Sequence, residues 1–281
     1  MPATNTPAAT TTAAYEERVK RLKASVKAEI TDTAKYVDAV NAMNIKPGTK
    51  KNYFIALHNH AKGTPAAEVY KAQFIKHDED QKKLPPPQAP DLTYEQIRKA
   101  GERIMNDDKI ALETRILAGL CTQLNPVRLD YCELALFHGD HIPADYKANY
   151  IQLKGPNNSQ LVVQEHKTTR LMAKVFGNGS LCRTLTPALF ALIIVWEADH
   201  PDERLLAMSS NNLGKAITRM FERYANIHVT QNTIRHAYVT SARDGDRPLA
   251  VVSKIAREMG HSVATNEMYR WDNFSPRAGT V

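Results

Sequence analysis

Cysteine and tryptophan are scarce in this 281-residue chain, which has three cysteines and two tryptophans. So few cysteines cannot build a disulfide framework, and this is typical of proteins in a reducing, intracellular compartment. The longest apolar run, at residues 188–196, is far too short to cross a lipid bilayer. Residues 1–14 form a Thr/Ala/Pro-rich tail without the basic and apolar regions of a signal peptide. We therefore expect a soluble, intracellular protein with no membrane partner.

Sequence patterns that bind nucleotides or metals are also missing. The chain has no Gly-rich P-loop motif. The candidate metal ligands considered are Cys132, His138, His141 and His166, but their spacing is not that of a ligand set. The sequence therefore predicts neither a metal ion nor any other cofactor.

The charge balance of the chain is basic. It contains 37 Lys and Arg residues against 30 Asp and Glu residues, which gives a formal net charge of +7. A basic surface favours a polyanionic partner, and it favours nucleic acid before a membrane. The length allows one large domain or two ordinary ones, with enough residues to bury a core.

The hydrophobic pattern predicts a small helical domain at the start of the chain. Apolar residues at helical spacing indicate helices at residues 15–30, 33–43, 49–61 and 65–75. Residues 77–92 contain mixed charges and a run of three prolines, which cannot continue a helix and favours an extended spacer. The expected organisation is a disordered tail at 1–14, a helical domain at 15–76, a linker at 77–92 and a second domain at 93–281.

The second domain is predicted to be mostly helical, with a small sheet. Helices are expected at residues 94–105, 109–121, 187–196, 210–224, 231–242 and 248–259. Strands are expected at residues 134–137, 149–154 and 160–167, with a hairpin joining the last two. Asn125-Pro126 predicts a further short helix. The predicted fold class is therefore mainly α, with an α+β second domain that contains a small antiparallel sheet.

Polar residues near the C-terminus indicate a chemical function. Arg235 and His236 lie together on one predicted helix. His261 follows the Gly260 that ends the next helix, and Tyr269 comes shortly afterwards. An arginine can neutralise a phosphate oxygen, a histidine can donate a further hydrogen bond, and a tyrosine hydroxyl can attack phosphorus. This order indicates phosphate-directed nucleophilic chemistry on DNA.

Two basic residues upstream fit the same chemistry. Arg128 falls in the first turn of the short helix predicted to begin at Asn125-Pro126, where backbone N–H groups favour an anion. Lys167 lies at the end of the second hairpin strand, and a hairpin can carry a lysine into a DNA groove and present it to a leaving oxygen.

In this order, the motifs of the second domain resemble those of the tyrosine recombinases, the phage-integrase superfamily. Pro126-Val127-Arg128 resembles the segment of the first catalytic arginine, and Lys167 resembles the hairpin lysine. Ile234-Arg235-His236 resembles the second-arginine box. Met259-Gly260-His261-Ser262 resembles the Leu-Gly-His-Ser box, and Tyr269 stands where the nucleophile belongs. The sequence around Arg128 resembles recombinases of eukaryotic mobile elements and large DNA viruses more than those of the phage lambda type.

The resemblance extends to the first domain, which is similar in size and position to the four-helix core-binding (SAM-like) domain of the family. It implies DNA contacts by Arg18, Lys20, Lys50, Lys51 and, in the catalytic domain, His236. The implied partner is a double-stranded DNA target site, bound by a homotetramer that is a dimer of dimers. The implied location is wherever that DNA lies, in a nucleus or in the cytoplasm of a viral host.

Two positions depart from the family pattern. Asn232 stands where the family usually has a histidine, and an amide can form hydrogen bonds but cannot take up a proton near neutral pH. Tyr131 stands where an acidic residue is usual, with Asp130 and Glu133 close enough in sequence to replace it.

The resemblance implies a concrete mechanism. Tyr269 would attack the scissile phosphodiester and form a 3′-phosphotyrosyl link, and Lys167 would protonate the 5′-oxygen. Asn232 would position the phosphate or the tyrosine. Charge on the transition state would be stabilised by Arg128, Arg235 and His261. Two alternatives remain, a type IB topoisomerase-like enzyme with the same chemistry and a catalytically silent DNA-binding relative.

Overall fold

The structure is a computed structural model that describes residues 9–84, 92–128, 130–164, 173, 180–242, 248–260 and 263. The chain divides into two compact units, Met1–Gln88 and Ala89–Val281. Within the described ranges, no helix combines the length and the apolar character needed to cross a membrane.

The first unit contains the four helices that the sequence predicted: α1 (Ala9–Val26), α2 (Thr33–Ala42), α3 (Pro47–His60) and α4 (Pro65–Lys83). The bounds of α1 were predicted wrongly, because the helix begins at Ala9, inside the tail expected to be disordered, and ends at Val26 rather than near residue 30. Both α3 and α4 begin with proline, whose missing N–H leaves no helical hydrogen bond unmade at that position. The Tyr36 hydroxyl donates to the Ala28 carbonyl (2.8 Å), and the Tyr70 hydroxyl donates to the Ile30 carbonyl (2.6 Å). These two bonds attach the connection between α1 and α2 to the apolar core.

Helix α4 is longer than the sequence predicted. Its end was expected near residue 75, but the helix continues for about two further turns. His77 is 7% exposed and stacks on the Phe54 ring of α3, with ring centroids 5.4 Å apart. The Asp78 carboxylate pairs with the Lys51 ammonium at 2.5 Å. The residues that resembled a charged linker therefore belong to the helix, because α3 supplies partners for them.

The second unit is mostly helical with a small sheet, which confirms the predicted class. Its described helices are α5 (Tyr94–Asn106), α6 (Leu112–Thr122), α7 (Pro187–Asp199), α8 (Ser210–Ala225), α9 (Gln231–Ala242) and α10 (Leu249–Glu258). Side-chain hydroxyls of Thr93, Thr186 and Ser209 accept hydrogen bonds from backbone N–H groups and cap α5, α7 and α8. The largest fully buried side chains include Trp196, Tyr131, Phe221, Ile97, Ile104 and Ile116.

The sheet has four strands in the order β1 (Ala135–His138), β2 (Tyr150–Leu153), β3 (Gln160–Val163) and β4 (Leu181–Thr184). The β2–β3 hairpin was predicted, and its strands are antiparallel. Two features differ from the expectation: β1 runs parallel to β2, so the sheet is mixed, and β4 forms a fourth strand antiparallel to β3. β4 lacks a strong strand pattern because it is only four residues long and places Cys182 and Thr184 in solvent.

Helices α5 and α6 pack very closely at one point. An ideal Cβ added at Gly101 of α5 would lie 2.4 Å from both γ atoms of Thr122 on α6. The Thr122 hydroxyl is held in place because it donates to the Ala118 carbonyl at 2.7 Å. This contact matters for the site, because the chain that follows α6 carries Arg128.

Candidate active site

The segment from Asn125 to Arg128 is not helical, so the predicted short helix is wrong. Three of its carbonyl oxygens, those of Pro126, Val127 and Arg128, accept hydrogen bonds from side chains of α9. The Asn125 side chain does not cap a helix but donates to the Glu258 carboxylate on α10, at 2.8 Å. Arg128 is therefore placed by tertiary hydrogen bonds rather than by a helix N-terminus.

The start of α9 is fixed by a reciprocal cap. The Thr230 hydroxyl accepts from the Thr233 N–H at 3.1 Å, and the Thr233 hydroxyl accepts from the Thr230 N–H at 3.3 Å. These two bonds satisfy N–H groups that no helical turn can reach. They define where Gln231 and Asn232, the first residues of the helix, point their side chains.

Gln231 is a site residue that the sequence reasoning missed. Its side chain is buried, and its amide nitrogen lies 2.5 Å from the Val127 carbonyl and 3.3 Å from the Arg128 carbonyl. Its amide oxygen faces the buried Cys121 thiol, with 3.9 Å between the sulfur and oxygen atoms. Burial raises the pKa of that thiol, which stays neutral. The only signal in the sequence was the position of Gln231 immediately before Asn232.

Arg235 lies one turn after Gln231 on α9 and is fully buried, with 0% of its surface exposed. Its Nη1 atom donates to the Pro126 carbonyl at 3.3 Å. A buried guanidinium needs hydrogen-bond acceptors inside the protein, and the Pro126 carbonyl is one of them. The second-arginine box is thus connected directly to the segment of the first arginine. His236, the next residue, is half-buried.

A cleft of about 930 Å³ opens beside this junction. Arg128 and Asn232 both line it, so the structure brings these two predicted site residues together. Asn232 is exposed, and Arg128 is half-buried. The opposite wall is α8, which contributes Lys215 and Arg219. These two residues are four positions apart and therefore share one face of the helix.

Of the two acids that could replace the usual acidic residue, only Asp130 lies in the cleft. Its carboxylate accepts from the Arg128 backbone N–H at 3.1 Å. Glu133 is exposed on a turn with a positive φ of 52°, and it does not line the cleft. Tyr131 is fully buried, and burial raises the pKa of its phenol, so it is part of the core rather than a polar site residue.

Three of the predicted site residues, Lys167, His261 and Tyr269, lie outside the described residues. In sequence, Lys167 comes after β3, which ends at Val163 rather than at residue 167 as predicted, and before β4. Gly260 follows the end of α10 with a φ of 66°, in the left-handed region that suits glycine, and its N–H donates to the Arg257 carbonyl. The predicted glycine stop is therefore confirmed.

The residues expected to contact DNA in the first unit differ in how free their charges are. The Lys51 ammonium is paired with Asp78, and the Lys50 ammonium donates to a carbonyl of α2 at 2.6 Å. Arg18 lies over a tyrosine ring, 6.0 Å from its centroid. Lys20 is exposed at a smaller cleft of about 250 Å³. Of these residues, Lys20 has the charge most accessible to a phosphate.

Among the described residues, no group of three His, Cys, Asp or Glu side chains could hold a metal ion. Comparison with known proteins gives little further information. No protein-family model and no curated protein matches the chain. Among solved structures, the crystal structure of XerA recombinase is similar, with a TM-score of 0.42 and 14% identity over 96% of this chain and 89% of that chain. The site assignments therefore rest on the sequence motifs and the geometry above.

Proposed function

We propose that this protein breaks and rejoins DNA strands as a site-specific tyrosine recombinase or integrase. The main support is the junction between α9 and the segment of Arg128. The two arginine boxes are far apart in sequence, yet the Arg235 guanidinium donates to the Pro126 carbonyl, two residues before Arg128. Asn232 and Arg128 share one cleft. Phosphoryl transfer to a tyrosine needs such a convergence of charge donors around one phosphate.

In the proposed reaction, the Tyr269 oxygen loses its proton to solvent, attacks phosphorus and forms a 3′-phosphotyrosyl bond while the bond to the 5′-oxygen breaks. Lys167 protonates the departing 5′-oxygen, and His261 donates to a non-bridging oxygen. Asn232 orients the phosphate or the tyrosine, since an amide cannot accept a proton near neutral pH. Rejoining reverses these steps with a 5′-hydroxyl as the nucleophile.

The cleft has suitable charge for this substrate. Arg128 lies on one side, and Lys215 and Arg219 lie on the α8 wall. A DNA backbone entering the cleft would therefore meet cations on both sides. Two carboxylates also line the cleft: Asp130 accepts from the Arg128 backbone N–H, and Glu222 is paired with His228. Guanidinium groups are suited to phosphate because their planar N–H donors can bind two oxygens at once.

The proposal requires a movement around Arg235. A guanidinium that is fully buried cannot touch a phosphodiester, so the chain around it must open when DNA binds. In the structure, the Arg235 guanidinium donates instead to the Pro126 carbonyl, within the segment that leads to Arg128. Once in contact with the phosphate, a charge donor of this kind is worth about 10²–10³ in the rate of the chemical step.

The test is covalent capture on DNA. A duplex sequence is first selected from a randomised library by binding to the full chain, and it is then prepared with a nick so that the cleaved fragment diffuses away. We expect a covalent DNA–protein adduct with the wild-type chain and none with Tyr269→Phe. Tyr224→Phe, which removes a half-buried hydroxyl on α8, is the matched control and should retain the adduct.

The outcomes separate the alternative functions. If the wild-type chain binds the selected duplex but forms no adduct, the catalytically silent DNA-binding relative is correct and the enzyme proposal is wrong. If an adduct forms, joining of strands from two different duplexes supports a recombinase. Relaxation of supercoiled DNA without such joining supports the topoisomerase-like enzyme.

A further inference from the structure

We infer that Gln231 is a positioning residue that sets the direction of the Arg128 side chain for the reaction. This inference rests on the proposed function. It assigns no contact with DNA to Gln231. Its physical basis is that one buried amide holds both of the peptide groups that flank the Arg128 Cα atom.

The hydrogen bonds specify this geometry. The Val127 carbonyl belongs to the peptide plane before Arg128, and the Arg128 carbonyl belongs to the plane after it. The Gln231 amide nitrogen donates to both, at 2.5 Å and 3.3 Å. Peptide groups are planar, so fixing two successive planes fixes φ and ψ of the residue between them. The direction of the Cα–Cβ bond of Arg128 follows from these two angles.

A second bond holds the first of these two planes, the one between Val127 and Arg128, from its other side. The Arg128 N–H donates to the Asp130 carboxylate at 3.1 Å. The Gln231 side chain itself has little freedom, because it is 5% exposed and the Cys121 thiol lies against its amide oxygen. Although Gln231 borders the cleft, its polar atoms are engaged within the protein. It therefore acts on a bound phosphate through Arg128.

Three residues of α9 then have different roles. Asn232 is exposed to the cleft, Arg235 donates to Pro126 one turn later, and Gln231 fixes the peptide groups around Arg128. A single helix thus sets the relative position of both arginines. An error in that position is costly, because a displacement of about 1 Å can lower a rate by about 100-fold.

The experiment uses Gln231→Met in the full chain, with the nicked, selected duplex as the probe. Methionine keeps the length of the side chain and removes the N–H donors. We expect DNA affinity to stay close to that of the wild type, while the single-turnover rate of adduct formation falls by about 100-fold. The matched control is Gln123→Met, which removes a half-buried amide that bonds to Glu102 in the same unit, and it should leave the rate unchanged.

A modified substrate separates positioning from a general structural defect. A methylphosphonate at the scissile position has a neutral methyl group in place of one charged oxygen, so it needs less neutralisation by an arginine. On this substrate we expect Gln231→Met and Arg128→Ala to form the adduct less than about 10-fold more slowly than the wild type. The reason is that both variants lose stabilisation of the phosphate charge, which this substrate needs less. A poorly folded variant would be equally slow on both substrates.

A second variant covers the case in which Gln231→Met does not fold. Gln231→Glu keeps the size of the side chain, and its carboxyl group can donate only when it is protonated. Its rate relative to the wild type should therefore rise as the pH falls. If the wild type forms no adduct, the proposed function is wrong. If it does, a Gln231→Met rate equal to that of the wild type, a deficit that persists on the methylphosphonate, or a flat pH ratio for Gln231→Glu overturns the inference.

Discussion

The close contact between α5 and α6 predicts that Gly101→Ala destabilises the second unit, although alanine favours a helix more than glycine does. Replacing glycine by alanine inside a helix stabilises it by about 1 kcal/mol. Overpacking a tight contact costs about 1–3 kcal/mol. The added Cβ would lie 2.4 Å from both Thr122 γ atoms and 2.8 Å from its Cβ, so no single rotation of the threonine clears the contact. The helices must separate instead.

We therefore place the cost near the upper end of that range, which leaves a net loss of about 1–2 kcal/mol. The melting temperature of a domain with 150–250 residues falls by about 2–4 °C per kcal/mol, so we expect a decrease of about 2–8 °C. Tryptophan fluorescence reports this unfolding selectively. Both tryptophans of the chain, Trp196 and Trp271, belong to the second unit.

A double-mutant cycle tests the cause. Thr122→Ala removes both γ atoms, so it should recover part of the loss in the Gly101→Ala background, with a coupling of about 0.5–3 kcal/mol. Gly119→Ala on α6 is the control, because its new Cβ meets the ends of the flexible Leu189 and Met105 side chains, which can move. An unchanged or higher melting temperature for Gly101→Ala, or strictly additive effects with Thr122→Ala, would show that the steric argument is wrong.

Two further predictions concern the first unit. Hydrogen bonds from Lys51 and then Lys82 lower the pKa of Asp78 from 3.8 to about 2. A carboxyl group whose pKa is lowered by folding stabilises the fold at pH values above its ordinary pKa. This contribution to stability is lost as the pH falls from about 4 to about 2. In Asp78→Asn, the free energy of unfolding of this unit should therefore depend less on pH in that window. It is measured by urea titration with far-ultraviolet circular dichroism, and an unchanged pH dependence would contradict the prediction. Because Lys51 is already paired and Lys20 is exposed, Lys20→Gln should reduce the slope of log affinity against log salt by about 0.9, and Lys51→Gln by clearly less. Equal changes in the two variants would argue against this ranking.

Local sequence signals predicted the helices well where capping and periodicity agree. The start and end of α9 were predicted correctly, and the Thr186-Pro187 start of α7 is present with its side-chain cap. Both depend on residues close together in the chain. Glycine in the left-handed conformation after α10 was also predicted, because few other residues tolerate that backbone.

Predictions failed where distant residues decide the structure. Asn125-Pro126 has the local pattern of a helix start, but Glu258 and the α9 side chains take the hydrogen bonds that such a helix would use. The charged end of α4 resembles a linker until Phe54 and Lys51 of α3 are placed beside it. Strand β4 is recognised only through its pairing with β3.

In the candidate site, too, local motifs were predicted correctly and contacts between distant residues were not. The motifs named Arg128 and Asn232, and the structure places both at one cleft. The sequence offered both Asp130 and Glu133 as replacements for the usual acidic residue. Only the geometry of the turn shows which of the two carboxylates lies in the cleft. Gln231 has no motif of its own. Its role follows from two carbonyl groups that are more than one hundred positions away in sequence.

The bond from the Asn125 amide to the Glu258 carboxylate joins positions 133 residues apart, and this separation has a consequence during translation. Chains fold as they emerge from the ribosome, with their N-terminal domains first. A growing chain, or one truncated before Glu258, already contains the first helical unit but lacks this anchor of the Arg128 segment. Under the proposed function, nascent polypeptides could hold DNA before they could cut it, and nicking would await completed synthesis.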